Sequence, residues 1–408
     1  MSPPIEIFHP IFGRFIHIVN DPEVQLTTDD LKNVYDLMDY LSQVHSSEPK
    51  YTEELRQKLY HILEFDVLPT ENPDGTRSDG TITLHINDAR IVLLVLELKR
   101  EIGDGGSNPS HQAGLSSKRS WIDDSSKTIH EKCCCPTFLV AGAGPWMTVM
   151  GSIFTDRFII QRLTDMRWMS LSSTEEDSRV YHNARVLVAL RRCLHELKDF
   201  YKGLTDVPPL AVNQPHPRYF PYPDSYPGEN GPTHFRYLRS LEEDNACVTY
   251  LAELVGESKK VVVKFAARYG KEVHKLLVEH NFAPQLLYCG PILENPLSDV
   301  MHMVVMEHVD GPSNKPPDRA QIEEILWLLH SHGYVFGDLR KPNILCDQNG
   351  KVKLIDFNWC GHDVSYVYYP VSMTVSKGMW AEGMEPLAAI RPQHDWEMLD
   401  KILPKGTS

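Results

Sequence analysis

The sequence predicts an α+β protein of at least two domains. A chain of 408 residues is longer than one compact core usually serves. Helical and strand patterns alternate in both halves, and a proline-rich stretch, DVPPLAVNQPHPRYFPYPDSYPGENGP, separates them because no hydrophobic period survives in it. We therefore expect an α/β domain at 1–205, a stiff linker at 206–232 and a second domain at 233–408.

Composition and charge narrow the class of protein. Hydrophobic residues make up 42% of the chain and charged residues 24%, which is typical of a globular protein. A net charge of −14 argues against adhesion of the whole surface to nucleic acid or anionic membrane, although a local basic cleft stays compatible with it. The longest apolar run, 91–96, is too short to span a bilayer, and no signal peptide is readable. We expect no membrane partner.

The cysteines predict a reducing compartment. The eight cysteines include no CxxC pair and no disulfide framework spacing, so an intracellular location, cytoplasm or nucleus, fits best. Cys133, Cys134 and Cys135 are consecutive, and neighbours in a row point in different directions. We interpret them as structural thiols and predict no zinc site there.

In the first half, the patterns predict helices around 28–45, 51–64 and 178–201, a strand pair around 80–99 and two strands in 137–160, with a mobile loop at 103–128. The segment SDGTITLHINDARIVLLVLELKRE, 78–101, predicts a hairpin that turns near Asn87 and Asp88. Such a turn brings Asp79 beside Glu97, and Glu97 shares a strand face with Lys99. The two carboxylates can bind Mg²⁺, and the ammonium can stabilise the attacking water or the charge of the phosphorane.

This D…E-x-K arrangement resembles the core of restriction-endonuclease-like PD-(D/E)xK folds. The resemblance implies a nuclease-like domain with a Mg²⁺ site and possible DNA contact. It also marks Gln112 as similar to a helix glutamine found in part of that superfamily, and Glu54 as a candidate upstream carboxylate. The alternative stays open, since an E-x-K after an apolar strand is often a strand end that reaches solvent.

In the second half, strands are predicted at 234–240, 246–253 and 260–266, a helix at 269–280, strands near 286 and at 301–308, and a helix at 318–332. Lys264 follows three valines, so its ammonium lies at the end of a buried strand and needs an anionic partner. Glu272, in the first turn of the next helix, is placed to reach back to it. By itself, this pair is weak evidence for a site, and a surface ion pair is the simpler interpretation.

The loop GYVFGDLRKPNIL, 333–345, adds a second set of polar residues. Asn343 follows Asp338 by five positions, and the next segment predicts a hairpin about Asn349 and Gly350 that ends at Asp356. The hairpin returns Asp356 towards Asn343, so the two can share Mg²⁺ while Asp338 faces a substrate hydroxyl. Phosphoryl transfer requires such a set of charges.

The segments GDLRKPNIL…LIDFN, over about 233–408, resemble the protein-kinase-like superfamily, with an H-G-D-type loop as in aminoglycoside, lipopolysaccharide and related atypical kinases. The resemblance implies a bilobal fold with a reduced large lobe, the cofactors ATP and Mg²⁺, and a protein or small-molecule hydroxyl as substrate, a protein serine or threonine first. Fusion to a nuclease-like domain resembles Crinkler-type effector and related fungal proteins. The implied roles are phosphate binding for Lys264, positioning of Lys264 for Glu272, catalytic base for Asp338, the catalytic-loop lysine's place for Arg340, metal binding for Asn343 and Asp356, adenine contacts through the backbone of Glu307 and Val309, and support of the loop for Asp395.

Several departures from the superfamily pattern keep other functions open. Phe336 and Gly337 replace the usual His and Arg, and Asn358 stands at the third position of D-F-G. No Gly-rich loop is visible in LRSLEEDNACVTYL, and little sequence follows Asp395. Our first hypothesis is an ATP- and Mg²⁺-dependent kinase. A pseudokinase that binds nucleotide or a partner, and a metal-dependent DNA nuclease regulated by the kinase-like domain, are the alternatives.

Overall fold

The computed structural model describes residues 2–45, 47–71, 75, 77–86, 89–103, 106–204, 216–242, 248–293, 301–311, 316–363, 367–374 and 378–405. The chain divides into two compact units, one built on Met1–Pro223 and the other beginning at Asp224. The division falls inside the predicted linker. Its first part, up to residue 215, lies outside the described residues, whereas residues 225–228 already form a strand of the second unit.

The first unit is an α/β fold built on one sheet. Its helices are α1 (Pro10–Asn20), α2 (Thr28–Leu41), α3 (Glu48–Leu63), α4 (Pro109–Ile122), α5 (Lys127–His130) and α6 (Glu176–Gly203). Its strands are β1 (Leu68–Glu71), β2 (Arg77–Ile86), β3 (Ala89–Lys99), β4 (Thr137–Ala143), β5 (Trp146–Phe154), β6 (Phe158–Arg162) and β7 (Arg167–Trp168).

The sheet order is β1-β2-β3-β4-β5-β6, and β7 pairs with β5. Strand β3 is antiparallel to β2 and parallel to β4, so the chain crosses over between β3 and β4 through α4. Strand β3 is buried on both faces from Ile91 to Leu98, which explains its continuous apolar sequence. The segment predicted to hold two strands, 137–160, contains β4, β5 and the start of β6.

Helix α4 corrects the prediction of a mobile loop at 103–128. Asn108 caps the helix through a hydrogen bond from the backbone N–H of Ser110, and Pro109 occupies the first turn. The buried face of α4 consists largely of small residues, including Ala113, Gly114 and Ser117, packed against β3 and β4. The apolar periodicity that reveals most amphipathic helices is therefore weak here.

The second unit contains a six-stranded antiparallel sheet followed by helical structure. Its strands are β8 (Ser225–Gly228), β9 (Gly231–Ser240), β10 (Thr249–Leu254), β11 (Lys260–Ala266), β12 (Leu286–Pro291) and β13 (His302–Glu307), in the order β12-β13-β11-β10-β9-β8. Helix α7 (Lys271–Glu279) connects β11 to β12. The hairpin of β8 and β9 joins the sheet through the pairing of β9 with β10. Tyr226 of β8 is buried, and its ring stacks on Phe235 of β9 and Tyr288 of β12.

Helix α8 (Arg319–Ser331) follows the sheet, and short strand pairs then shape the chain up to the last helix, α9 (Pro392–Ile402). These pairs are β14 (Tyr334–Val335) with β17 (Gly361–His362), and β15 (Ile344–Cys346) with β16 (Val352–Leu354). One buried apolar cluster joins residues of α7, α8 and α9 to the loops between them. None of the helices in the described ranges combines the length and the apolar character that crossing a membrane requires.

Candidate phosphotransfer site

Asp338 lies on the loop that follows β14 and is 3% exposed. Arg340 holds its carboxylate by a two-point contact, with Nε 2.5 Å from Oδ1 and Nη2 2.6 Å from Oδ2. Asn343 Nδ2 donates to Oδ2 of Asp338 at 3.0 Å and to its backbone carbonyl at 2.9 Å. Burial raises the pKa of Asp338, against the opposing effect of the Arg340 guanidinium. The loop therefore presents a dry, tightly held carboxylate.

Asp395 in α9 fixes the backbone of this loop. Its carboxylate, 1% exposed, accepts hydrogen bonds from the N–H groups of Phe336 at 2.9 Å and Gly337 at 2.8 Å, and from His330 Nε2 at 3.0 Å. Gly337 has a φ of 79°, and a Cβ there would lie 3.0 Å from Ile390. Asp395 thus has the supporting position that the sequence implied. Because it accepts hydrogen bonds from backbone N–H groups, this support does not depend on which side chains stand at 336 and 337.

The predicted hairpin brings Asp356 back to the loop. Strands β15 and β16 pair Ile344 with Leu354, and the N–H of Ile355 donates to the carbonyl of Asn343 at 3.0 Å. Asp356 adopts a left-handed backbone conformation with a φ of 66°. Its Oδ1 lies 2.6 Å from Lys264 Nζ, an ammonium that is 8% exposed. The structure therefore brings Lys264 and Asp356 together. It also brings Asp356 near Asn343, because the preceding residue, Ile355, is hydrogen-bonded to Asn343.

The expected contact between Lys264 and Glu272 is not formed. Glu272 is 65% exposed, and its carboxylate lies 3.6 Å from Lys275 Nζ. Helix α7 instead buries Val273, His274 and Leu277. The helix is rotated so that Glu272 faces solvent, and among the described residues the salt-bridge partner of Lys264 is Asp356.

His274 is a site-supporting residue that the sequence did not reveal. Its ring stacks on Phe357, next to Asp356, with centroids 4.3 Å apart and planes at 9°. Nε2 lies 2.8 Å from the carbonyl of Pro284, so Nε2 carries the proton and Nδ1 accepts from the Tyr269 hydroxyl at 2.7 Å. Burial lowers the pKa of His274 to about 4, so the ring is neutral at pH 7. A lone histidine on an apolar helix face carries no sequence signal for this role.

The predicted adenine-binding segment covers the end of β13 and the residues that follow it. The N–H of Glu307 donates to the carbonyl of Gln285 at 3.0 Å, and its side chain contacts Lys259 Nζ at 2.5 Å. Its N–H is therefore already engaged. Val309, two residues on, is half-buried.

The first unit holds the other predicted cluster. The register of β2 and β3, which pairs Gly80 with Leu96, puts Asp79 opposite Glu97. Asp79 Oδ2 accepts from the N–H of Leu98 at 2.7 Å, and Glu97 Oε1 accepts from Ser116 Oγ at 2.7 Å. The turn expected at 87 and 88 lies outside the described residues. The register nevertheless places the two residues opposite each other, as the alternating pattern predicts.

Burial dominates the electrostatics of this cluster. It raises the pKa of Glu97 to about 7, with a further upward contribution from the Asp79 charge, and it raises the pKa of Asp79. Lys99 Nζ lies 3.7 Å from Glu48 Oε1, and Glu48 also contributes to the upward shift at Asp79. Helix α3 thus supplies Glu48, a residue not predicted for this site.

Gln112 and Glu54, the other two residues predicted for this site, have different surroundings. Gln112 lies one helical turn before Ser116 on α4, and its Oε1 is buried without a hydrogen-bond partner in the part of the chain that is described. Glu54 contacts Lys50 Nζ at 3.7 Å and also interacts with Tyr40. Gln112 therefore lies near the residue that donates to Glu97, whereas the contacts of Glu54 are with Lys50 and Tyr40.

The described residues of the two clusters do not form a metal site from His, Cys, Asp or Glu side chains alone. Within the described residues, no group of three or more His, Cys, Asp or Glu side chains is placed to hold a metal ion. A divalent cation at either position would need oxygen ligands from asparagine, substrate phosphate or water as well, which is how Mg²⁺ commonly binds.

Comparison with known proteins supports the kinase-like assignment. No protein-family model matches the chain. A probable serine/threonine-protein kinase of Dictyostelium discoideum is 30% identical over 145 residues, which is 30% of this chain and 31% of that protein. Protein kinase C epsilon type of Oryctolagus cuniculus is 26% identical over 153 residues, covering 31% of this chain and 20% of that protein.

A third relative, the serine/threonine-protein kinase KIPK1 of Arabidopsis thaliana, is 30% identical over 155 residues, which is 32% of this chain and 16% of that protein. The chain therefore spans less than a third of the length of these relatives. A solved structure, the Cydia pomonella granulovirus kinase PK-1, aligns with a TM-score of 0.30 at 17% identity over 40% of this chain and 65% of that chain. The sequence relatives support a protein-kinase-like superfamily and suggest a phosphotransferase.

Proposed function

We propose that the second unit transfers the terminal phosphoryl group of ATP to a hydroxyl group, with a protein serine or threonine as the first candidate. The observation that carries this proposal is the contact of a buried lysine with an aspartate, Lys264 Nζ lying 2.6 Å from Asp356. Asp356 ends the hairpin that follows the loop of Asp338. A buried ammonium and a nearby carboxylate are the charges that a nucleotide phosphate and its metal ion need.

The donor set fits a bound Mg²⁺. The amide nitrogen of Asn343 is committed to Asp338, which orients its amide oxygen as the atom to offer a cation, and Asp356 supplies a carboxylate. When bound, Mg²⁺ neutralises charge on the phosphate oxygens. Asp356 would then contact the metal and Lys264 the phosphate, which replaces their mutual contact without leaving either charge unpaired.

Asp338 would orient the acceptor hydroxyl and accept its proton, and Arg340 would neutralise charge beside it. The replacement of the usual His and Arg by Phe336 and Gly337 leaves the loop formed, because Asp395 accepts from the two backbone N–H groups. Glu272 has no place in this proposal. The carbonyl of Glu307 and the backbone of Val309 are the proposed adenine contacts.

ATP turnover by the full chain tests the proposal. With Mg²⁺ and radiolabelled ATP, we expect phosphoryl transfer to a mixed protein substrate or to water, reduced at least about 100-fold in Asp338→Asn and Asp356→Asn. Glu324→Gln, an exposed carboxylate on α8, is the matched control and should retain wild-type activity. Binding of ATP without turnover would favour a pseudokinase, and equal activity in all variants would contradict the assigned roles.

The first unit supports a second candidate function, metal-dependent hydrolysis of a phosphodiester such as DNA. The specific observation is the juxtaposition of half-buried Asp79 and buried Glu97, with Lys99 on the same strand face as Glu97. The oxygen of Gln112, which has no hydrogen-bond partner among the described residues, lies one helical turn from Ser116. Asp79 and Glu97 would bind the cation, and Lys99 would stabilise charge on the scissile phosphate.

Plasmid nicking by the full chain with Mg²⁺ or Mn²⁺ tests this second function. We expect nicking to fall at least about 100-fold in Glu97→Gln and Lys99→Met, because each removes a charge that the metal or phosphate requires. Glu53→Gln, an exposed carboxylate on α3, is the control. Nicking that survives the change at Glu97 would refute the assignment.

A further inference from the structure

Arg340 contacts aromatic rings as well as Asp338. Its guanidinium carbon lies 5.4 Å from the ring centroid of Trp380 and 6.0 Å from that of Trp359. Both distances are within the range in which a cation is attracted by the face of an indole. Arg340 therefore interacts with a carboxylate and with two tryptophans that come from different segments of the chain.

The tryptophans are fixed independently of Arg340. Trp359 ends the short turn that begins after Asp356, and Tyr369 packs on it edge-on with ring centroids 5.5 Å apart. Trp380 is buried, and its Nε1 donates to the carbonyl of Thr374 at 2.7 Å. The two indole rings lie 5.6 Å apart at 39° to each other. They form a preorganised surface for a planar cation.

Arg340 and Asn343 already occupy hydrogen-bonding positions on the Asp338 carboxylate. The guanidinium fork occupies both carboxylate oxygens, and Asn343 takes a further position on Oδ2. An acceptor hydroxyl that donates to Asp338 must displace one of these N–H donors or enter beside it. Because an indole face attracts a guanidinium over its whole area, Arg340 can shift along the rings while it keeps part of its stabilisation.

We propose that Trp359 and Trp380 are positioning residues that hold Arg340 on Asp338, so that an acceptor hydroxyl reaches the carboxylate when Arg340 shifts along the indole faces. The proposal rests on the phosphotransfer function proposed above. Trp359 lies three residues after Asp356, the proposed metal ligand, so the tryptophan pair is close in sequence to the proposed metal site. The rings act through Arg340 and touch no reacting atom.

Substitutions at Trp380 test the proposal in the full chain. Trp380→Phe keeps a ring face, Trp380→Leu removes it, and Trp327→Leu, at an exposed tryptophan of α8, is the control. For Trp380→Leu we expect kcat of ATP turnover to fall on the order of fivefold with KM for ATP within about twofold, because one cation–π contact is lost. Trp380→Phe and Trp327→Leu should stay within about twofold of the wild type.

A direct readout of Arg340 separates this proposal from the proposed function. The ¹H–¹⁵N resonance of Arg340 Nε, identified by its absence in Arg340→Lys, should lose its ring-current shift in Trp380→Leu and retain it in Trp327→Leu. An unmoved resonance in Trp380→Leu would overturn the inference. Absence of ATP turnover in the wild type together with a moved resonance would refute the phosphotransfer proposal and leave the positioning contact supported. If Trp380→Leu does not fold, Trp359→Leu gives the same test through the other ring.

Discussion

Glu97→Gln should stabilise the first unit above pH 7 and change it much less near pH 5. The Glu97 side chain is 4% exposed, and burial raises its pKa from 4.5 to about 7. Ser116 Oγ donates to Oε1, and the Asp79 charge opposes ionisation. Glutamine keeps an oxygen that can accept from Ser116 and carries no charge, so the substitution removes the titration with little change in packing.

The sign and size follow from linkage. A carboxyl group whose pKa is higher in the folded than in the unfolded chain stabilises the fold when protonated, and this stabilisation is lost as the pH rises through 7. Each pKa unit corresponds to about 1.4 kcal/mol, so the advantage of Glu97→Gln over the wild type should grow from less than about 1 kcal/mol at pH 5 to about 3 kcal/mol at pH 8.5.

Hydrogen exchange in the full chain measures this difference without separating the units. Peptides that span 77–99 report the opening free energy of β2 and β3 after correction for intrinsic exchange rates. Glu53→Gln, at an exposed position of α3, should show no pH-dependent difference. An advantage of Glu97→Gln that is constant with pH, or that grows towards acid, would refute the burial argument. Mg²⁺ should reduce the alkaline difference if the ionised carboxylate binds it.

Three further substitutions test the second unit by calorimetric unfolding of the full chain. Asp395→Asn should destabilise it by about 3 kcal/mol, because one amide oxygen cannot replace a carboxylate that accepts from two backbone N–H groups; a loss below about 1 kcal/mol would contradict this. His274→Ala should lower the free energy of unfolding by about 3 kcal/mol, because it leaves a cavity and removes two hydrogen bonds. His280→Ala, at an exposed position, should change it by less than about 0.5 kcal/mol, and equal effects of the two substitutions would exclude the stacking role. Gly337→Ala should cost more than about 1 kcal/mol, because a Cβ meets Ile390 at a positive φ; an unchanged transition would show that the loop can adapt.

The sequence predicts best those elements whose geometry depends on residues close to one another in the chain. Strands β2 and β3 were predictable because one apolar run and its polar edge fix the hairpin, and Asp79 and Glu97 follow from side-chain alternation. The loop at Asp338 and the return to Asp356 follow from fixed spacing and an Asn-Gly turn. In both cases, neighbours in sequence decide the geometry.

The missed features depend on tertiary packing. Helix α4 buries small and hydroxylated side chains, so its apolar period is weak, and the same composition in a loop would look alike. The rotation of α7 decides between Glu272 and His274, and a change of two positions moves a side chain by more than half a helical turn. Such a rotation is set by what the helix packs against, here Phe357, which sequence spacing cannot supply.

The pairing of Lys264 with Asp356 is compatible with both a stable second unit and the nucleotide binding proposed above. A buried ammonium without a partner would destabilise the fold by several kcal/mol, so the site needs a carboxylate when it holds no anion. Nucleotide phosphates supply an anion for Lys264, and the accompanying cation supplies a positive charge for Asp356. Only a ligand that brings both charges replaces the ion pair without cost to either side, which favours a metal-bound nucleotide over phosphate or metal alone.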